Sequence, residues 1–470
     1  MKIAPKFIHK LVMPLLALGM SVTLSPALIA QVQAQTAAQS SLPNSATTPA
    51  VGANSVADAA ASADQGQLTA MAGPGPAEQD APAPSPAASS SSAPAPAQDQ
   101  ATQAPAATPP AAPAPLPTPS MTAPLSTAAP QHTFDAGPFG TLAITGILSG
   151  MGMVQNNWIP GDKSSHWDVS NAQVFVQKTT GWWQFYLQGG AYNLPDLGVP
   201  FISTDKTLPD FFGPLPVGFL KLVKGGFSVQ IGELPTLIGA EYTFDFENLN
   251  IERGLLWNQE NAINRGIQLN ETYKKLTASL SWNDGFYSNR YTWVTGLVAY
   301  ALNAANTVSF VAGGNAGATK YSNFATPVQN NSSIYEILYT YTKGNWYIQP
   351  YWQYTDVPTN AEVGVTKGAT TDGVALLFNY NFKHGISLAL RPEYISSSGS
   401  VANGAVNLLY GPGSSAFGFT VTPTYQKGGF FARADVSVAD AQSFTAGDAF
   451  GSTGKNGTQT RGVIEAGFMF

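Results

Sequence analysis

Chemistry in this chain has to come from charge, because the usual reactive groups are scarce. It has no cysteine and four histidines. No Gly-x-Ser-x-Gly, His-Glu-x-x-His or Gly-x4-Gly-Lys run is present, so a serine nucleophile, a zinc hydrolase helix and a phosphate cradle lack their parts. His166 with Asp162 and Asp168 is a surface cluster that could mimic a protease or metal site; His9, His132 and His384 have no comparable setting. No catalytic residue, metal or cofactor is expected. The stretch Leu234–Ile263 is different, with Glu241, Asp245, Glu247, Glu252 and Glu260 against one cation, Arg253. Further on, Arg391, Arg433 and Arg461 each have a carboxylate close by in sequence: Glu393, Asp435 and Glu465. Arg265 begins the segment that follows the acidic stretch. Opposite charges facing each other across a narrow aqueous gap make a transverse field that orders water and sorts solutes. The same groups in contact would be ion pairs stiffening a wall, worth about 0–1 kcal/mol each if water reaches them. The sequence leaves both arrangements open.

Whatever holds these charges is built from strands. Ile386, Leu388, Leu390, Pro392 and Tyr394 fall on one face, and Ser387, Ala389, Arg391 and Glu393 on the other. Trp346, Ile348, Pro350, Trp352 and Tyr354 oppose Tyr347, Gln349, Tyr351 and Gln353 in the same way. Over Arg461–Phe470, Ile464, Ala466, Phe468 and Phe470 oppose Arg461, Val463, Glu465, Gly467 and Met469. Period-2 alternation marks a strand whose faces meet different surroundings. Sixteen such segments follow Phe134, among them 139–153, 168–178, 216–223, 429–439 and 461–470. Most are long enough to cross a bilayer at a tilt. Short turns, such as Tyr273–Lys275 and Thr342–Asn345, alternate with long loops. Leu234–Ile263 is the third long loop, loop 3 below. Aromatic residues collect at both strand ends: Trp182, Tyr273, Trp346 and Phe382 by short turns, Tyr192, Trp282, Trp293 and Tyr394 by long loops. The pattern predicts an all-β fold, a transmembrane antiparallel β-barrel of sixteen strands with two aromatic girdles. Glu271 falls on the apolar face, which is tolerable near an interface.

The N-terminus is of another kind. Lys2, Lys6 and Lys10 precede an apolar run, and Val32-Gln33-Ala34 fits a signal-peptidase site, so residues 1–34 read as an export signal. Residues 35–133 are rich in Ala, Pro and Ser and too poor in large apolar side chains to offset the entropy of ordering, so they read as a disordered linker. The barrel then occupies 134–470. After the signal, no apolar run is long enough for a transmembrane helix. Charged residues make up only 11% of the chain and the net charge is −6, with no basic patch for nucleic acid.

Val229–Tyr242, followed by Asn248–Tyr273, resembles the OmpL-like outer-membrane β-barrel porins of Gram-negative bacteria. The likeness rests on a strand ending in Gly232, a Pro235-Thr236 turn with Gly239 and Glu241, and a returning strand with Arg265 and Gly266. The resemblance implies passive transport and names no solute. On this reading the protein lies in the outer membrane, in contact with lipid, with its linker in the periplasm, and passes small hydrophilic solutes. The lumenal aromatics Tyr347, Tyr351 and Phe431 make a sugar-selective channel the alternative; an outer-membrane enzyme or an adhesin with a plugged barrel stands further off. A strand ending in Phe468 and Phe470 resembles the signal read by the barrel-assembly machinery. A homo-oligomer stays open. Loop 3 is expected to fold into the lumen, with Glu241, Asp245, Glu247 and Glu252 facing Arg265, Arg391, Arg433 and Arg461 as a pore constriction.

Overall fold

Alternation in the sequence becomes strands, and the strands run further than the alternation does. The computed structural model describes Leu125–Ser126, 132–320 and 327–470. The expected export signal, and the linker up to residue 131 apart from Leu125–Ser126, lie outside these residues. In chain order the strands are β1 (His132–Asp135), β2 (Thr141–Gln155), β3 (Ser165–Lys178), β4 (Trp183–Tyr192), β5 (Val217–Lys224), β6 (Phe227–Pro235), β7 (Ile263–Tyr273), β8 (Leu276–Asn283) and β9 (Trp293–Asn303). Then come β10 (Asn306–Asn315), β11 (Ser333–Lys343), β12 (Trp346–Val357), β13 (Ala369–Asn381), β14 (Ile386–Ser397), β15 (Ser415–Lys427), β16 (Phe430–Gln442) and β17 (Thr458–Met469). Strands β2 to β17 pair antiparallel in sequence order, and β17 closes on β2 from Arg461↔Gln155 to Met469↔Ile147. The result is the expected closed barrel of sixteen strands. Closure leaves no ring strand with an unpaired edge, which is what hydrocarbon demands.

Three strands outrun their predicted ends by three residues at the long-loop side. β3 starts at Ser165, β16 runs to Gln442 and β17 starts at Thr458. Most of the added residues, including His166, Asp440 and Gln459, are polar. Ladder hydrogen bonds continue above the lipid, whereas apolar alternation is required only within it. β1 is an addition that the alternation did not announce. It pairs Asp135↔Thr141 through His132↔Ile144, on the flank of β2 that β17 leaves free beyond Ile147. The sheet therefore begins two residues before the expected boundary at 134.

The outer face carries Leu148, Val154, Val436, Ile464 and Phe468, exposed by 57–62%. Trp182 and Tyr273 at the short turns, and Trp167 and Tyr394 near the long loops, form rims around this belt. Tyr192 and Trp293 leave the outer rim, since both are buried, at 0% and 1% exposure, and pack inside the barrel. The two-residue turn at Lys274–Lys275 puts Lys274 at φ 56°, the left-handed region that tight hairpins need. Gly232 lies in β6 at φ 142°, and a Cβ there would collide with the Gly218 carbonyl of β5. Only glycine fits that close approach of two strands.

Candidate functional site

Loop 3 is too apolar to stay in water, and the barrel gives it somewhere to go. Leu249, Ile251, Leu255 and Leu256 are exposed by no more than 2%, packed among buried groups of the inner wall and neighbouring loops. Two short 3-10 turns shape the loop, Asp245–Glu247 and Leu256–Gln259. Its backbone is held by wall carboxylates. Ile251 and Glu252 both donate their N–H groups to Asp435 Oδ2 at 2.9 Å, and Leu255 N–H donates to Glu393 Oε2 at 2.6 Å. Asn250 donates to Thr422 Oγ1 at 2.6 Å.

Three arginines then lock the loop's carboxylates. Arg391 Nη1 donates to Glu241 Oε1 at 2.6 Å, while its Nε reaches Glu393 at 3.2 Å. Arg461 Nη1 donates to Glu252 Oε1 at 2.9 Å, and Ser437 completes that carboxylate at 2.6 Å. Arg433 is bonded first to Glu465, at 2.7 Å, and lies 3.9 Å from Asp245. Asn171 supplies Asp245 with a closer donor at 2.6 Å. Alternation places all three arginines on the inward face of β14, β16 and β17, so a loop descending along that wall meets each in turn.

This geometry decides between the two arrangements that the sequence left open. Arg391, Arg433 and Arg461 are exposed by 0%, 4% and 1%, and the loop acids are equally enclosed. These groups do not face one another across an aqueous gap; they are ion pairs and charge-assisted hydrogen bonds in contact. Such pairs repay their desolvation only when fully bonded, and removing one partner costs about 3–5 kcal/mol. Glu247 accepts from Phe244 N–H at 3.2 Å within the loop's own turn, and burial pushes its carboxyl up to about 8. Arg265 stands apart on β7, bonded to Asp284 at 3.0 Å and lying over the Tyr287 ring at 3.9 Å.

Other partners had little signal in the sequence. Arg253, the loop's own cation, bonds Asp196 of the loop after β4, and Arg461 also donates to the Asp196 carbonyl at 2.6 Å. Tyr410 donates to the Gly198 carbonyl at 3.1 Å, so three loops interlock. An acid at the right depth in a separate loop has no local pattern to reveal it. His166 lies 2.8 Å from Asp162, whose carboxylate accepts from Phe201 N–H, while Asp168 accepts from Thr204 N–H at 2.7 Å. This cluster ties loops together, and among the described residues no group of three or more His, Asp or Glu is arranged to hold a metal. Of the lumenal aromatics, Tyr351 and Phe431 are buried and Tyr347 is half-buried.

A closed antiparallel ring with an apolar outer belt, aromatic rims and a polar inner wall is an outer-membrane β-barrel. Residues 141–470 match the family described as "Putative beta-barrel porin-2, OmpL-like", and the chain belongs to that family. It is thus a porin of the outer membrane, in contact with lipid, and a passive route for small hydrophilic solutes. No curated protein matches the chain. Solved structures similar to it include Salmonella typhi OmpF in complex with daunomycin, at 13% identity over 72% of this chain and all of that one, with a TM-score of 0.47. OmpT of Vibrio cholerae gives 12% identity over 71% of this chain and 98% of that one, TM-score 0.47. The outer-membrane channel DcaP of Acinetobacter baumannii gives 9% over 70% and 97%, TM-score 0.46.

Proposed function

We propose that loop 3 is the constriction of this porin, that Glu241, Asp245 and Glu252 act with Arg391, Arg433 and Arg461 by holding it in place, and that Glu247 braces the loop's own turn. The observation that carries this reading is the row of bonds from loop to wall, from Glu241–Arg391 at 2.6 Å to Glu252–Arg461 at 2.9 Å. A loop so anchored takes up one side of the lumen and leaves solutes the other. Passage then depends on size and hydration, with no catalytic step and no cofactor. The test replaces Glu241, Asp245 and Glu247 by amides and measures planar-bilayer currents in a KCl gradient. Arg391 and Arg433 then keep their charge with fewer partners, so conductance should rise and the reversal potential should shift toward anions. Unchanged conductance and reversal potential would overturn the constriction.

A second proposal concerns biogenesis. Phe468 and Phe470 are exposed on the outer face, by 57% and 43%, on the strand side that closes the ring. We assign them to recognition by the barrel-assembly machinery. Deleting Phe470 should lower the yield of folded, heat-modifiable barrel; normal insertion would remove that role.

A further inference from the structure

Loop 3 meets cations along β14 to β17, but its returning end meets an acid. Glu260, three residues before β7, and Glu336 on β11 are exposed by 7% and 0%. Gln353 on β12 stands between them. Its Nε2 donates to Glu260 Oε1 at 2.6 Å and to Glu336 Oε1 at 3.2 Å. The second oxygen of Glu336 accepts from Gly239 N–H at 2.7 Å, so this pair also ties down the start of the loop. Glu260 Oε2 is buried against Gly239 with no hydrogen-bond partner. Among the described residues neither carboxylate has a cation within ion-pair distance. The charged and titratable groups facing Glu260 are Glu336 from β11, Glu241 from the loop, Glu393 from β14 and the Tyr351 hydroxyl from β12. Arg391 is engaged by Glu241 and Glu393.

Two enclosed carboxylates bridged by one amide cannot both carry charge at low cost. We propose that Glu260 and Glu336 share one proton at neutral pH, and that this proton latches the returning end of loop 3 to β11 and β12. Loss of the proton at alkaline pH turns the contact into a repulsion and frees that end. Burial first, and then the neighbouring Glu336 and Glu241, hold the Glu260 carboxyl well above the ordinary carboxylate range. The docked loop binds the proton more tightly than the released loop does. Docking is therefore favoured at low pH and weakens as pH rises from the ordinary carboxylate range through the raised one. The effect on permeation, though not the latch itself, rests on the reading of loop 3 as the constriction.

The experiment uses the full-length protein in lipid and a thiol probe, since the chain has no cysteine of its own. Ala262→Cys places a thiol in the buried returning segment, exposed by 7% before substitution. Labelling by a charged methanethiosulfonate is followed from about pH 6 to about pH 9, in Ala262→Cys and in Ala262→Cys with Glu336→Gln. Taking the ratio of the two rates at each pH cancels the ionisation of the thiol. The glutamine carries no charge, so Glu260 meets no second carboxylate at any pH while Gln353 still donates to it, and the double variant stays latched. The ratio should climb with pH, by up to about tenfold per pH unit for one linked proton. A flat ratio would overturn the latch. Should Glu336→Gln fail to give a heat-modifiable barrel, Glu260→Gln on the loop side makes the same comparison. A climbing ratio with pH-independent conductance would support the latch and count against the constriction.

Discussion

The two sides of the lumen are built on opposite plans. On β14, β16 and β17 the inward positions carry Arg391, Glu393, Arg433, Asp435, Arg461 and Glu465, and all are exposed by 4% or less. On β7 to β11 the inward positions include Asn270, Thr277, Ser279, Ala299, Ser309 and Thr340, and each is partly exposed. One wall is charged and covered by loop 3; the other, apart from Arg265 and the enclosed Glu336, is neutral, small and open. The charges that looked like a filter therefore serve as the loop's fastenings. A solute on the open side meets hydroxyls and amides, which exchange readily with water and hold nothing for long.

The largest expected effect lies on the covered wall. Arg391→Ala leaves Glu241 and Glu393 enclosed without their cation, at a cost of about 3–5 kcal/mol. The urea midpoint of the barrel in detergent should fall and single-channel conductance should rise as the loop loosens. On the open wall, Ser279→Ala should change stability by no more than about 0.5 kcal/mol. Equal responses from the two variants would erase the distinction between the walls.

The next effect separates inside from outside. Ile464→Arg puts a cation on the lipid face, where the native side chain is 57% exposed, and should cost about 2–4 kcal/mol if it lies near the midplane. Ser279→Arg puts the same group in the water-filled lumen; it should leave stability nearly unchanged and lower cation conductance. Equilibrium unfolding and bilayer recording read the two outcomes separately.

These contrasts show what alternation could and could not reveal. Period 2 reports which face a residue occupies, so it placed Arg391, Arg433 and Arg461 inward and assigned Leu390 and Ile464 to the other face of their strands. It does not report what covers an inward residue, because covering depends on loops far away in sequence. That is why contact pairs replaced the expected gap, and why Asp196 and Gln353 carried no warning. Tyr192 and Trp293 misled for a related reason: an aromatic residue near a strand end fits an interfacial rim or an interior packed by loops equally well. The composition of loop 3 did carry information. Leu249, Ile251, Leu255 and Leu256 needed an apolar surface, and the inner wall with its packed loops supplies one.

A smaller change tests how closely loop and wall fit. Gly239 sits at φ +90°, and a Cβ there would strike the Glu260 carboxylate. Gly239→Ala should cost about 1 kcal/mol or more from backbone strain, and should displace Glu260 from Gln353. Channel recordings should then show more frequent fluctuation between conductance levels, with the unfolding midpoint slightly reduced. A variant indistinguishable from the native protein would mean that the loop tolerates slack at its returning end.

The smallest effect is expected from Arg265, the one proposed constriction arginine away from the covered wall. Its side chain is 27% exposed and pairs with Asp284, which is enclosed at 0%. Asp284 keeps other donors when Arg265 is replaced, since it accepts from the backbone N–H groups of Arg265 at 2.8 Å and Asn289 at 3.0 Å. Arg265→Gln should therefore cost only about 0–1 kcal/mol. Its effect should appear in permeation: one accessible positive charge is lost, so the reversal potential in a KCl gradient moves slightly toward cations. Water reaches the site, so that shift should shrink as the Debye length falls from about 10 Å at 0.1 M salt to about 3 Å at 1 M. Burial already raises the Asp284 carboxyl and Arg265 counteracts it, so removing Arg265 raises it further. The shift toward cations should consequently fade as pH is lowered and Asp284 takes up its proton. A shift independent of both salt and pH would place Arg265 outside the conducting path.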